Sequence, residues 1–205
     1  FGGGDYLQSV TLPAGTYTIV LQWDDNFYSL GQLPGAINNL DIFITDANGG
    51  NIFGFNRNNR WGDPIEVVPF VSKSTVTANI MIRRTIGTGN VKFKYVIFRG
   101  EGVITEYNQG TGTVVGQANA ASSIAVGAAL YTNTPAFGTN PPTVATFSSR
   151  GGVLIDGNDR NKPDIVAPNG VNTTVNFGGV NIDNDPFPNF FGTSAAAPHA
   201  AGVAA

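Results

Sequence analysis

Hydrophobic and polar residues alternate through much of the first hundred positions of the chain. Tyr17, Ile19, Leu21 and Trp23 are separated by Thr18, Val20 and Gln22, and Leu40, Ile42 and Ile44 by Asp41, Phe43 and Thr45. The same period returns at Val76, Ala78, Ile80 and Ile82, and at Val91, Phe93, Tyr95 and Ile97, with Lys92 and Lys94 on the opposite face. Successive side chains of an extended chain point to opposite sides, so a period of two predicts half-buried strands. Turn-forming clusters separate the runs, among them Leu12-Pro13-Ala14-Gly15 and Asp46 through Gly50. About seven or eight short strands at this spacing predict an all-β antiparallel sandwich, jelly-roll-like in its build.

From about Gly100 the pattern changes. Glu101 to Gln117 is a polar connector punctuated by glycine, and the apolar runs that follow, Ser123 to Ala128 and Asp164 to Pro168, lack strict alternation. Runs of that kind suit strands covered on both faces, as in a parallel α/β sheet. The expected division is therefore a β-sandwich over 1–107 and a partial α/β segment with parallel strands over 108–205. That segment ends in the alanine-rich stretch Gly192 to Ala205. Here Gly192, Thr193 and Ser194 predict a tight turn that presents a serine at the mouth of a helix, with Pro198 expected in the first turn, where its missing N–H costs nothing. The Ser194 amide is then an unpaired first-turn donor, so an oxyanion forming beside the serine meets both an N–H and the positive end of the helix. Acyl transfer is the chemistry that this arrangement suits.

Composition narrows the field. The chain has 205 residues, 41% of them hydrophobic and 12% charged, which is globular material with enough apolar residues for real cores. A net charge of -3 offers no basic face to nucleic acid, and no apolar run is long enough to span a membrane. Without cysteine there is no thiol catalysis, disulfide or thiolate-bound metal, and acyl transfer by serine needs no cofactor. The single histidine is His199. Five residues of helix rotate it by roughly 500°, about 140° off the face that carries Ser194. It is therefore not the general base, and a structural, buried role is expected for it.

The string Gly192-Thr193-Ser194-Ala195-Ala196-Ala197-Pro198-His199-Ala200-Ala201-Gly202 resembles the nucleophile motif of the subtilase (subtilisin-like) serine peptidases, peptidase S8 family. Three upstream segments resemble further subtilase landmarks in the family's order: Ile124 to Ala128, Phe147-Ser148-Ser149-Arg150-Gly151, and Lys162 to Pro168. The resemblance implies a serine endopeptidase with Ser194 as nucleophile, its amide as an oxyanion donor, and a protein or peptide substrate. It also implies an aspartate and a histidine earlier in the polypeptide, in the order Asp, His, Ser. No segment resembles the family's Asp-Thr-Gly or His-Gly-Thr motifs, and no asparagine matches the oxyanion position. The chain opens at Phe1 and its last helix reaches Ala205 with no capping signal. The expectation is thus a truncated catalytic domain, inactive alone, that partners the missing N-terminal part of the same domain and can self-associate through apolar surface left exposed.

The segment Asn39 to Ile44, with the Asp46 to Gly50 turn and Pro64-Ile65-Glu66, resembles pre-peptidase C-terminal (PPC) domains over roughly residues 5 to 100. The order of landmarks implies that this sandwich is inserted into the catalytic domain, with its two ends close together. Asp24, Asp25, Asn26, Asp41 and Asp46 are read either as turn formers or as oxygen donors to a structural calcium. Trp61, Phe53 and Phe55 are read either as core or as a binding face. The family resemblance further implies a weak cation site in which Asp164 joins loop carbonyls around Ala118 to Ser123, the alternative being that Asp164 caps or hydrogen-bonds a buried turn. It also sets an aromatic Phe191 beside the leaving-group subsites, the alternative being that the ring packs the turn. Few lysines, many Asn, Gly and Thr, and a peptidase motif point to an exported bacterial protein, extracellular or in the cell envelope. The competing reading is a non-catalytic sandwich that binds protein or polysaccharide, attached to a degenerate peptidase.

Overall fold

In a computed structural model, which describes residues 4–28, 34–55, 57–108, 110–155, 158–176 and 180–205, the alternating runs of the first hundred residues are strands. The strands of this region are β1 (Leu7–Leu12), β2 (Gly15–Trp23), β3 (Asn39–Thr45), β4 (Asn51–Phe55), β5 (Ile65–Ser72), β6 (Val76–Ile86), β7 (Phe93–Phe98) and β8 (Val103–Ile104). The alternating runs fall on β2, β3, β6 and β7, and β8 lies in the stretch expected to be a connector, where it pairs with β1. All lie in the first of two compact units, Phe1–Asn108, the second being Gln109–Ala205. One sheet has the order β4-β3-β6-β1-β8 and the other β5-β2-β7, and every pairing is antiparallel.

The core of this unit lies between the two sheets. Val10, Leu12, Leu40, Ile42, Ile44, Ala78 and Ile80 come from one sheet, and Tyr17, Ile19, Leu21, Trp23 and Val68 from the other. Burying these apolar side chains drives the two sheets together. The Tyr17 hydroxyl, carried into the core with its ring, donates to the Pro13 carbonyl at 2.6 Å, so no polar atom of that side chain is stranded.

β3 departs from the half-buried expectation. Asp41 and Thr45, on its polar face, are as buried as Leu40 and Ile42 on the other. The segment that follows β4 supplies part of the cover: the Asn59 amide donates to Asn39 Oδ1 at 2.6 Å, and Asn39 Nδ2 donates to Asp41 Oδ1 at 2.9 Å. Alternation reports the side chains of one strand and is blind to a loop that folds back over it.

The acidic residues near these turns serve different loops. Asp25 Oδ2 accepts the Ile37 and Asn38 amides, while Asp46 Oδ1 accepts the Asn48 and Gly50 amides and so closes its own turn. Among the aromatics, Phe53 packs onto the core, 5.7 Å from the Phe70 ring, whereas Trp61 is exposed with the Arg60 guanidinium 4.7 Å from its ring centre. The Phe55 side chain lies outside the described residues.

The second unit contains β9 (Val126–Leu130), β10 (Val153–Ile155), β11 (Asn158–Arg160), β12 (Ile165–Asn169), β13 (Val171–Asn172), β14 (Asn189–Phe190) and one α-helix, α1 (Thr193–Ala204). β12 pairs in parallel with β9, in the register Ala167 to Ala128. This is the only parallel pairing among the described residues; β10 with β11 and β13 with β14 are antiparallel. The other edge of β9 is held by the segment that leads into the Phe147-Ser148-Ser149 run and by Ser148 itself. There the Ala145 amide donates to the Ala128 carbonyl at 2.8 Å, and the buried Ser148 Oγ accepts the Ala128 amide at 3.1 Å.

α1 packs on the parallel pair through small residues, Ala196 and Ala200 against Ala128 and Ala167. Cover on both faces, expected for β9 and β12, is incomplete: Ile165 and Val166 are exposed, as are Ile124, Phe147 and Val203. A two-stranded layer with one helix lacks the material to bury both sides. Among the described residues, no helix is long and apolar enough to cross a membrane.

Candidate active site

The carboxyl end of β12 organises the nucleophile turn. β12 ends at Asn169, and Gly170 then turns the chain into β13, which pairs with β14 immediately before the helix. The Gly170 amide donates to the Phe190 carbonyl at 2.9 Å, and the buried Asn189 donates through Nδ2 to the Gly170 carbonyl at 3.0 Å. Asn169, also buried, accepts the Gly192 amide on Oδ1 at 3.4 Å. The turn that precedes the helix is thus fastened to the end of β12, a strand of the parallel pair.

Gly192 makes the turn possible. Its backbone lies at φ 109° and ψ 171°, a region essentially closed to residues with a Cβ. It acts as N-cap, with the Ala195 and Ala196 amides donating to its carbonyl at 3.0 and 3.3 Å. Thr193 and Ser194 are the first two helical residues, and their amides have no intrahelical acceptor. Ser194 is exposed, while Ala195 and Ala196 directly after it are buried. The hydroxyl is therefore presented to solvent on an anchored helix, and the dipole makes this end favourable to a developing negative charge.

Two expectations about this helix need correction. Pro198 is not in the first turn but well inside α1, because the helix already starts at Thr193. Its missing N–H leaves the Ser194 carbonyl without its helical donor. His199 is exposed rather than buried, and its Nδ1 lies 2.8 Å from the Ala195 carbonyl. The imidazole is folded back along its own helix, since no described segment of this unit covers that face.

A small cavity of about 180 Å³ opens beside the turn. Thr193 lines it, together with Ala125 and Val126 at the start of β9, Val114, Ser149 and Pro163. Phe191, which precedes the turn, packs across Gly170, where a Cβ would fall 3.0 Å from the ring.

Asp164 lies where β12 begins. Its Oδ2 accepts the Ala125 amide at 2.7 Å, and both carboxylate oxygens accept from the Lys162 ammonium, at 2.8 and 3.1 Å. These hydrogen bonds, Lys162 foremost, hold the Asp164 carboxyl below the usual carboxylate range. Asp164 thus meets Ala125 directly, while the Ser123 carbonyl is met by the Lys162 ammonium and not by Asp164.

Sequence reading gave no role to Asn169 or Asn189, nor to Lys162, although Lys162 opens one of the landmark segments. Asn169 stands at the last position of an apolar run, between Pro168 and Gly170, where turn chemistry alone accounts for an asparagine. Its burial at the nucleophile turn becomes visible only in three dimensions.

The family described as the subtilase family, peptidase S8, matches residues 58–205, beginning inside the first unit and running through the whole of the second. No curated protein and no solved structure matches the chain. The match covers well over half of the sequence and includes the strand, turn and helix that present Ser194, and the chain accordingly belongs to the subtilase family of serine peptidases.

Proposed function

We propose that the chain carries the nucleophile of a subtilisin-like serine endopeptidase. Ser194 Oγ attacks the carbonyl carbon of a peptide bond while its proton passes to a histidine. The carbonyl oxygen becomes an oxyanion facing the Ser194 amide and the positive end of α1. Collapse expels the amine, which takes the proton from the imidazolium, and water then hydrolyses the ester to regenerate the serine. The observation that carries this reading is the placement of Ser194: second in the helix, exposed, and directly behind a glycine-only turn tied to β12.

The base comes from outside these 205 residues. His199, the only histidine, lies along its own helix against the Ala195 carbonyl. The histidine, the aspartate that orients it and the asparagine that completes the oxyanion hole are assigned to another part of the same polypeptide, and the chain alone is inactive. We read the β-sandwich as a PPC-like insertion in the catalytic domain of an exported enzyme, a reading that rests on the likeness of Asn39 to Ile44, the Asp46 to Gly50 turn and Pro64-Ile65-Glu66 to such domains.

Replacing Ser194 in the full-length protein tests the assignment. Ser194→Ala lowers kcat for peptide hydrolysis on the order of 10⁶-fold with an unchanged unfolding midpoint. Undiminished proteolysis by this variant removes the enzyme reading and leaves the sandwich as a binding module.

A further inference from the structure

The cation site that family resemblance implies at Asp164 is filled by the chain itself. Lys162 is buried, its side chain only 5% exposed. Its ammonium has three N–H bonds, and it meets three oxygens: the Ser123 carbonyl at 2.5 Å, Asp164 Oδ2 at 2.8 Å and Asp164 Oδ1 at 3.1 Å. The surrounding backbone is built to hold that charge. Ser123 Oγ donates back to the Ala118 and Ala120 carbonyls at 3.1 and 2.9 Å, which folds the segment before β9 and turns its last carbonyl toward the lysine. The Asp164 amide donates to the Ala125 carbonyl at 2.9 Å while the Ala125 amide donates to Asp164 Oδ2 at 2.7 Å, so the two strand starts are also clasped directly.

A metal ion does not fit among these groups. Calcium requires six to eight oxygens at about 2.3 to 2.6 Å, and here the two carboxylate oxygens and the one carbonyl already face an ammonium. Adding a divalent ion would place like charges within a few ångströms of each other, beside a lysine side chain that is itself only 5% exposed although Asp164 is 37% exposed. Among the described residues no group of His, Cys, Asp or Glu side chains assembles elsewhere to hold a metal.

We propose that Lys162 is the resident cation of this unit, permanently occupying the position of a bound ion and making the clasp between the β9 and β12 starts independent of calcium or sodium. The consequence reaches the nucleophile turn, because β12 begins beside Asp164 and ends at Asn169, which holds the Gly192 amide. The proposal stands apart from the role of Ser194.

The test measures unfolding midpoints of the full-length protein in chelator and in millimolar calcium or sodium. In Lys162→Ser the cage loses its charge and gains room. This variant is less stable than wild type in chelator, and added cation raises its midpoint by about 3 °C or more beyond any rise in wild type. Lys162→Met, which keeps the volume but not the charge, is destabilised without gaining that response. Equal cation responses in wild type and Lys162→Ser overturn the proposal. A second measurement holds even where the variants fail to fold: acylation of wild-type lysines mapped by mass spectrometry. Lys162 stays unmodified in chelator as in calcium while the exposed Lys73 reacts. Reaction of Lys162 at the rate of Lys73 in either condition contradicts it.

Discussion

Ser194 owes its presentation to its neighbours. The hydroxyl is exposed because Gly192 adopts a backbone that other residues avoid, and the helix is anchored because Ala195 and Ala196 are small enough to pack closely. A Cβ at Gly192 has room, its nearest neighbour being the Ser194 nitrogen at 3.7 Å, so Gly192→Ala is penalised by backbone conformation and not by a clash. The expected result is a loss of roughly 1 to 3 kcal/mol in stability and a fall in kcat that exceeds any change in KM, read from denaturation curves and peptide hydrolysis in the full-length enzyme. Wild-type kinetics in this variant would mean that the turn tolerates another conformation. The glycine and the serine were legible in the sequence because turn chemistry is local. Asn169 and Lys162 were not, because their partners, Gly192 and Ser123, lie 23 and 39 residues away.

At the scale of elements, β5 brings a carboxylate into the sandwich. Glu66 stands opposite Leu21 of β2 and is buried. One of its oxygens accepts the Arg57 amide at 3.2 Å and the other has no partner among the described residues. Burial, reinforced by the nearby Asp41, raises its pKa from 4.5 to about 7. The protonated acid is therefore favoured in the fold. Stability from Glu66 is fully present below pH 4.5 and declines as pH rises through about 7, by about 3 kcal/mol in all.

Asp41, raised in the same direction by burial, adds to the slope. Both tryptophans of the chain, Trp23 and Trp61, lie in this unit, so urea unfolding followed by fluorescence reads it directly. Glu66→Gln flattens the decline between pH 4.5 and 7; a slope retained in the variant assigns it to other groups. The alternation of β2 and β6 was plain in the sequence, and that of β5 was not read there. The burial of Glu66 was not legible either, since period two says which side a residue faces but not whether a polar residue on that side is sealed from water.

The whole chain combines two kinds of β structure. Antiparallel strands with alternating patterns share one core in the first unit, and short apolar runs in the second include a parallel pair capped by the helix of Ser194. Membership in the subtilase family rests on residues 58–205. The motif segments inside that range were readable because each forms a locally determined feature, whether an apolar strand, a turn or a helix start. Sheet order was not readable. β1 lies between β6 and β8, a choice made by contacts between residues far apart in sequence, for which a local pattern carries no signal.

The central claim is that Ser194 is a peptidase nucleophile whose base lies outside these 205 residues. Fluorophosphonate labelling with the modified peptide identified by mass spectrometry tests both halves at once. The account predicts rapid labelling of the full-length protein at Ser194 and, for the 205-residue chain alone, labelling slower by about 10³-fold or more. Labelling of the isolated chain near the full-length rate, or an active full-length enzyme left unlabelled at Ser194, would contradict it.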